Sequence, residues 1–288
     1  MGKILIVADL QDKCCATARG LELAHRLGYS AEVVAFTYSP LKRLKVTNAE
    51  QSDIKQQLLA ERERSISARI AKYAKPGQKV SLKVVWQKDI HPWIIKRAAT
   101  GYFAVVKTAH DTGTMTYTST DWHLLRECAT PIMLVAEKKW SRTKPVLVAL
   151  DLSTRDNVKR RLNHALISVG KHLAEALNTE LKIISAIEVP TLLSELDLVD
   201  PLAYVKEQKE AMRPHLLDLA KAHDLPEKAF RCKRGPVEKV ISSDAAKLCA
   251  QIVVLGTIGR RGVRARLIGN TAEGVLRHLK TDVLAVKP

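Results

Sequence analysis

No apolar run in this sequence approaches the roughly 18 residues that a membrane-spanning helix requires. The opening block, Ile4 to Val7, is also too short for the core of a secretory signal, so the expectation is a cytoplasmic protein with no membrane contact. The cysteines Cys14, Cys15, Cys128, Cys232 and Cys249 are odd in number and show no CxxC spacing. That usage fits a reducing compartment and argues against a disulfide framework or a zinc site. GxSxG, HExxH, Walker A and GxGxxG patterns are missing as well. The sequence therefore gives no case for a catalytic triad or a dedicated NTPase, and no catalytic residue or metal ligand is assigned.

What the chain has in excess is positive charge. The net charge is +17, with 24 basic against 13 acidic residues up to Lys144 and 23 against 17 after it. Such a balance raises nucleic acid as a partner. However, the basic residues are dispersed along expected helices, as in Lys55, Arg62, Arg64, Arg69 and Lys72 with Glu61 and Glu63 between them. Solvated helix faces account for that pattern, and nucleic acid ranks well behind other partners.

Two passes of one grammar run through the 288 residues. Lys3 to Ala8 reads as a buried strand ending at Asp9, followed by a helix to Leu27 with Gly20, Leu23, Ala24 and Leu27 on one face. Val146 to Leu150 reads as the same strand ending at Asp151. The helix after it is expected to place Val158, Leu162, Ala165, Val169, Leu173 and Leu177 on one side. A β-rich strand follows in each half (Ala31 to Thr37; Leu181 to Ile187), then a long helix (about 50 to 74; about 203 to 223) and a strand (Val80 to Trp86; Ala229 to Cys232). A shorter helix and a fourth strand (Phe103 to Lys107; Gln251 to Leu255) come next. The closing segments, TDWHLLRECATPIMLVAE and TAEGVLRHLKTDVLAVKP, align without a gap, Thr120 with Thr271 and Leu125-Arg126 with Leu276-Arg277.

Alternating strands and helices imply parallel pairing with helices on both sheet faces. The expected fold class is α/β: two tandem, five-stranded, parallel-sheet, Rossmann-like domains over residues 1–140 and 141–288. In such sheets ligands bind beyond the carboxyl ends of the strands, where strand order reverses. That directs attention to the turns after the first and fourth strands.

After the fourth strand of the second half the sequence reads GTIGRRGVRARLIGNTAEGVL. Gly256, Gly259 and Gly269 have the spacing GxxG, nine residues, then G. Glycines let a phosphate approach backbone amides, and a helix beginning at Asn270 would offer free N–H groups to an anion. Arg260, Arg261, Arg264 and Arg266 add charge nearby. The plainer alternative is that Asn270 and Glu273 form a helix capping box and the glycines serve ordinary turns.

With these residues the chain resembles the universal stress protein family, tandem type, whose ATP-binding signature is GxxG, nine residues, then G followed by Ser or Thr. The resemblance covers both halves and implies an adenine nucleotide alpha hydrolase-like fold. It also implies that ATP binds in the C-terminal domain only, with Ala149 and Asp151 against the adenosine and Ile187 against the adenine. Gly256, Gly259, Gly269, Asn270 and Thr271 would hold phosphates. Asn270 departs from the signature, since its amide hydrogen-bonds but the hydroxyl is gone. Asp151 also has a bland alternative as the cap of the following helix. In the first half, KTAHDTGTMTYTSTDW lacks the glycines and places Thr108, Asp111 and Thr118 near their positions, so no ATP is expected there. Asp9 and Phe36 stand where the second half has Asp151 and Ile187, and Phe36 is a candidate to fill the vacant pocket.

Family domains pair through their last strands, so the resemblance further implies an intramolecular pseudo-dimer, Thr130 to Ala136 with Asp282 to Lys287, or a homodimer of such chains. His110, Asp111 and His123 are read as polar surface residues, and Trp86, Trp93 and Trp122 as packing contacts. The segment Thr191 to Val205 is either a helix extension packing on its own domain or a lid or partner-binding segment. Two functions follow. One is a stress-response protein that binds ATP or a related nucleotide as a regulatory ligand, with at most weak hydrolysis. The other is a nucleotide-independent protein that takes an apolar or lipid-like ligand or acts as a scaffold.

Overall fold

In a computed structural model, which describes residues 2–9, 15–43, 47–109, 119–137, 140, 143–190, 192, 198–257 and 269–288, the chain divides into two units, Met1–Lys138 and Lys139–Pro288. The first runs β1 (Lys3–Ala8), α1 (Cys15–Arg26), β2 (Ser30–Thr37), α2 (Asn48–Tyr73), β3 (Val80–Trp86), α3 (Ile90–Ala98), β4 (Ala104–Thr108), α4 (Ser119–Glu127) and β5 (Ile132–Val135). The second runs β6 (Val146–Ala149), α5 (Asn157–Ala176), β7 (Leu181–Ile187), α6 (Pro201–Ala222), β8 (Phe230–Arg234), α7 (Val237–Lys247), β9 (Ile252–Gly256), α8 (Asn270–His278) and β10 (Asp282–Val286).

Within each unit the ladders are parallel. Their order is β3-β2-β1-β4-β5 in the first and β8-β7-β6-β9-β10 in the second. The central strands, β1 and β6, are covered on both faces, which explains their unbroken apolar runs. Ile6 pairs with Val33 on one side and Val106 on the other, and Val148 pairs with Ile183 and Val254. The chain builds outward from each central strand and then crosses back, so strand order reverses between β1 and β4 and between β6 and β9.

The repeat extends to individual contacts. A Cβ added to Gly20 on α1 would lie 2.7 Å from Cγ1 of Ile6, and one added to Gly170 on α5 would lie 2.3 Å from Cγ2 of Val148. In both units a helical glycine lets the crossing helix lie close on the central strand. The buried stripe of α5 is Leu162, Asn163, Leu166, Ile167, Gly170, Leu173 and Ala174. It is rotated from the expected face, leaving Val158, Ala165 and Val169 only half-buried. The reason is that the close approach at Gly170, which carries no hydropathy signal, fixes the side that faces the sheet.

Each unit also buries charge, but with opposite sign on equivalent helices. In the first, Glu32 of β2 is 3% exposed. It accepts hydrogen bonds from Arg97 of α3 at 2.8 and 2.7 Å, from the Tyr102 hydroxyl at 2.8 Å, and from Lys3. In the second, the fully buried Asp244 of α7 pairs with Lys233 and, at 3.6 Å, with Arg231 of β8. Burial alone would raise the Glu32 pKa, but the bonds from Arg97, Lys3 and Tyr102 outweigh it and pull the value down to about 2.

Because the folded-state pKa lies below the unfolded one, the contribution of Glu32 is fully present above pH 4.5 and is lost as pH falls toward 2. The shift corresponds to about 3 kcal/mol. Urea unfolding at a series of pH values should show a loss of that order between pH 5 and 2. Glu32→Gln should be destabilised by a similar amount at neutral pH and show a flatter acid limb.

Candidate functional site

The second unit encloses a cavity of about 740 Å³ beyond the carboxyl ends of its central strands, at the point where strand order reverses. Strand β6 ends at Ala149, and the chain then turns through Asp151, whose backbone carbonyl accepts from Asn163 Nδ2 at 2.9 Å. The Asp151 carboxylate accepts from Ser153 Oγ at 2.8 Å and from Lys159 Nζ at 3.2 Å. It does not cap α5. That role falls to Asp156, which accepts from the amides of Val158 at 2.7 Å and Lys159 at 3.4 Å. The Asp151 carboxylate is therefore directed to the cavity wall and held there by an exposed lysine and a serine.

At the end of β7, Ile187 lines the cavity and is 2% exposed. Its carbonyl accepts from the amide of Gly235, whose φ of 137° is open only to glycine. Pro236, next along, has no N–H and no side-chain cap to offer α7. The Glu188 carboxylate supplies one, accepting from the Val237 amide at 3.1 Å.

Gly256 ends β9 at the cavity floor. A Cβ there would lie 2.5 Å from Cδ2 of Leu162, so the glycine admits an α5 side chain to the strand end. That packing reason is independent of any phosphate. Gly269 precedes α8 with φ −61° and ψ 141° and, as glycine, brings no side-chain cap of its own. Gly269 holds the N-cap position, Asn270 is the first residue of the helix, and the Glu273 carboxylate pairs with Arg277 at 2.7 Å. Gly269 and Ala272 make the first turn of α8 a wall of the cavity.

Of the residues expected from sequence, Ala149, Asp151, Ile187, Gly256 and Gly269 thus line one cavity. Asn270 and Thr271 begin the helix that walls it. Gly259 and the four loop arginines lie outside the described residues, as do His110, Asp111 and Thr118. Sequence reasoning missed Asn163 and Lys159, which fix Asp151, and the α6 wall of Tyr204, Gln208 and Met212. Their sequence signal is only that of a helix face. Of the segment from 191 to 205, the described Leu192, Leu198 and Leu202 are 67%, 67% and 72% exposed.

The equivalent strand ends of the first unit carry different side chains among the described residues. Where the second unit has Leu255 and Ala272, the first has Lys107 and Asp121, an ion pair at 2.8 Å with side chains 4% and 0% exposed. Lys107 Nζ also donates to the Thr108 carbonyl at 2.9 Å. Thr108, in the place of Gly256, accepts the Ala16 amide at 3.0 Å on its hydroxyl and so caps α1. Arg62 of α2 donates to the carbonyls of Ala8 at 3.2 Å and Asp9 at 2.6 Å. Phe36 packs edge-on against Trp93 at 5.4 Å. Trp86 lies beside Tyr38 and Trp122 beneath Arg126, while His123 stacks on His91 and bonds Glu127. Among the described residues no group of three His, Cys, Asp or Glu is placed to hold a metal ion, and no helix is long and apolar enough to cross a membrane.

Comparison with known proteins gives a match to the model of the universal stress protein family over residues 142–287. Universal stress protein E of Salmonella typhi is 32% identical across 99% of this chain and 93% of its own, and the Escherichia coli K12 protein of that name matches with the same identity and coverage. Among solved structures, a functionally unknown protein from Pseudomonas aeruginosa PAO1 superposes with a TM-score of 0.70 at 25% identity, covering 99% of this chain and 92% of its own.

Removing one partner of a buried pair strands the other charge, which costs about 3–5 kcal/mol. Asp121→Ala should therefore destabilise the protein by that order in urea titration. Adding Lys107→Leu, which reproduces the second unit's residues, should recover most of the loss. Equal losses in the single and double variants would refute the assignment of the pair as the determinant.

Proposed function

The chain belongs to the universal stress protein family, and from that premise we propose that its C-terminal unit binds ATP or a related nucleotide as a regulatory ligand in a cytoplasmic stress response. The observation that carries this reading is the convergence of Ala149, Asp151, Ile187, Gly256 and Gly269 on one cavity walled by the first turn of α8. Its volume, about 740 Å³, lies within the range that encloses a ligand of this size. Ile187 offers an apolar surface to the base. Asp151, an acceptor for Ser153 and Lys159, offers the same lone pairs to ribose hydroxyls. The uncapped start of α8 suits phosphate, with Gly259, Asn270 and Thr271 as its further partners. The ligand acts by being bound, and no residue is assigned to its hydrolysis. The domains are 1–140 and 141–288, and the working particle is a single chain or a homodimer.

A second reading has its own support. Leu150, Leu162, Leu166, Met212, Ile241 and Val275 make much of the wall apolar, and its acidic residues Asp151, Asp156 and Glu188 face a single lysine, Lys159, among the described residues. That lining suits an apolar or lipid-like ligand better than a polyanion, and the exposed Leu198 and Leu202 suit a scaffold surface.

Titration of ATP against thermal unfolding separates the two. Binding stabilises by about 2.7 kcal/mol at a hundredfold excess over Kd, which a melting curve resolves. Gly269→Val should keep the ligand-free melting temperature, because φ −61° and ψ 141° suit any residue, and should lose the ATP shift. No shift in either protein, with no nucleotide in native mass spectra, would favour the second reading.

A further inference from the structure

Helix α6 forms one wall of the cavity through Tyr204, Gln208 and Met212, and two of its polar attachments depend on histidine. His215, buried in the middle of the helix, donates from Nδ1 to the Leu152 carbonyl at 3.1 Å. At the C-terminal end, His223 caps α6 and places Nε2 3.0 Å from Nδ1 of His164 on α5. Lys171 of α5 donates to the His223 carbonyl at 2.9 Å. Both α5 and α6 therefore wall the cavity and are joined at one end by two imidazoles.

A hydrogen bond between two ring nitrogens needs one donor and one acceptor. It survives with at most one proton beyond the neutral pair; with both rings charged, two donors oppose each other. The groups around the pair oppose charging. Lys171 faces it from α5, and no carboxylate among the described residues hydrogen-bonds either ring. Lys221 and Asp224 flank His223 in sequence and are exposed, so they are screened. Arg160 turns away to the Thr154 carbonyl, and Glu227, from the turn before β8, is paired with Arg213. Burial, then His164 and Lys171, hold the His223 pKa below the usual histidine range.

We propose that His164 and His223 form an acid-released latch that holds α6 against α5, so that acidification loosens this wall and weakens ligand binding in the cavity. The ligand half rests on the nucleotide reading; the latch does not. The sign follows from the site. His223 is held below the usual histidine range while latched and returns to it on release, so closure is favoured at higher pH and lost as pH falls below that range.

The test is hydrogen exchange of the amides of α6 between pH 5 and 8, expressed as protection relative to the intrinsic rate at each pH. Protection in the wild-type chain should fall as pH drops below about 6, by up to tenfold per pH unit for each proton taken up on opening. His164→Gln with His223→Gln, which leaves His215 in place, should flatten that dependence. The affinity for ATP in the wild-type chain should weaken in parallel. A flat wild-type profile, or the same slope in the double variant, overturns the latch. If ATP fails to bind at every pH, the nucleotide reading falls alone and the exchange data still decide the latch.

Discussion

A parallel strand buried on both faces sets the plan of each unit. Strand β6 is held by β7 on one side and β9 on the other, with α5 brought down on it at Gly170, and β1 repeats the arrangement with Gly20. Such a strand satisfies its backbone only along its length. At its carboxyl end the neighbours depart in opposite directions, and the polar groups of the turn must find partners elsewhere. In the second unit Asn163 takes the Asp151 carbonyl and the rest of the space stays open as the cavity. In the first, Arg62 takes the carbonyls of Ala8 and Asp9.

The two solutions differ in electrostatics more than in shape. In place of Leu255 and Ala272 the first unit buries the ion pair of Lys107 and Asp121. Stability alone would not select this, since a buried pair rarely outperforms apolar residues of the same volume. Its consequence is local: the strand end that is apolar at Leu255 carries charge at Lys107. Thr108 adds to the effect by capping α1 with the hydroxyl that stands where Gly256 leaves room.

Much of this was legible in the sequence because it is written locally. Lys3–Ala8, Val80–Trp86 and Leu181–Ile187 are strands with the limits their apolar blocks indicate, and the gap-free closing segments identify the repeat. Other features required the fold. Lys107 and Asp121 sit in a strand and a helix whose docking sequence does not display, and Glu32 meets Arg97 across 65 positions. Asp156 rather than Asp151 caps α5, a choice set by where the strand ends. The spacing of Gly256 points to a phosphate approach, and its lack of a Cβ also meets the packing demand of Leu162, which depends on how α5 docks on the strand end.

The long helices show how the same position can be fixed in one unit and adjustable in the other. Helix α2 buries only Ile66 along its 26 residues, so packing alone holds it weakly; its N-terminus is fixed by the Thr47–Glu50 capping box and its middle by the Arg62 guanidinium. A guanidinium stays charged at any physiological pH, which makes that attachment permanent. Helix α6 buries Met212, His215, Leu219 and Ala220, and its polar attachments include two imidazoles beside the ion pair of Arg213 with Glu227. Imidazole is the side chain whose charge changes near neutrality. An attachment of fixed charge thus stands on α2, and an imidazole pair stands on α6. Adjustability of a wall has consequences where there is a cavity behind it, and α6 is the helix that walls one, which is why the proposed latch of His164 and His223 bears on the site.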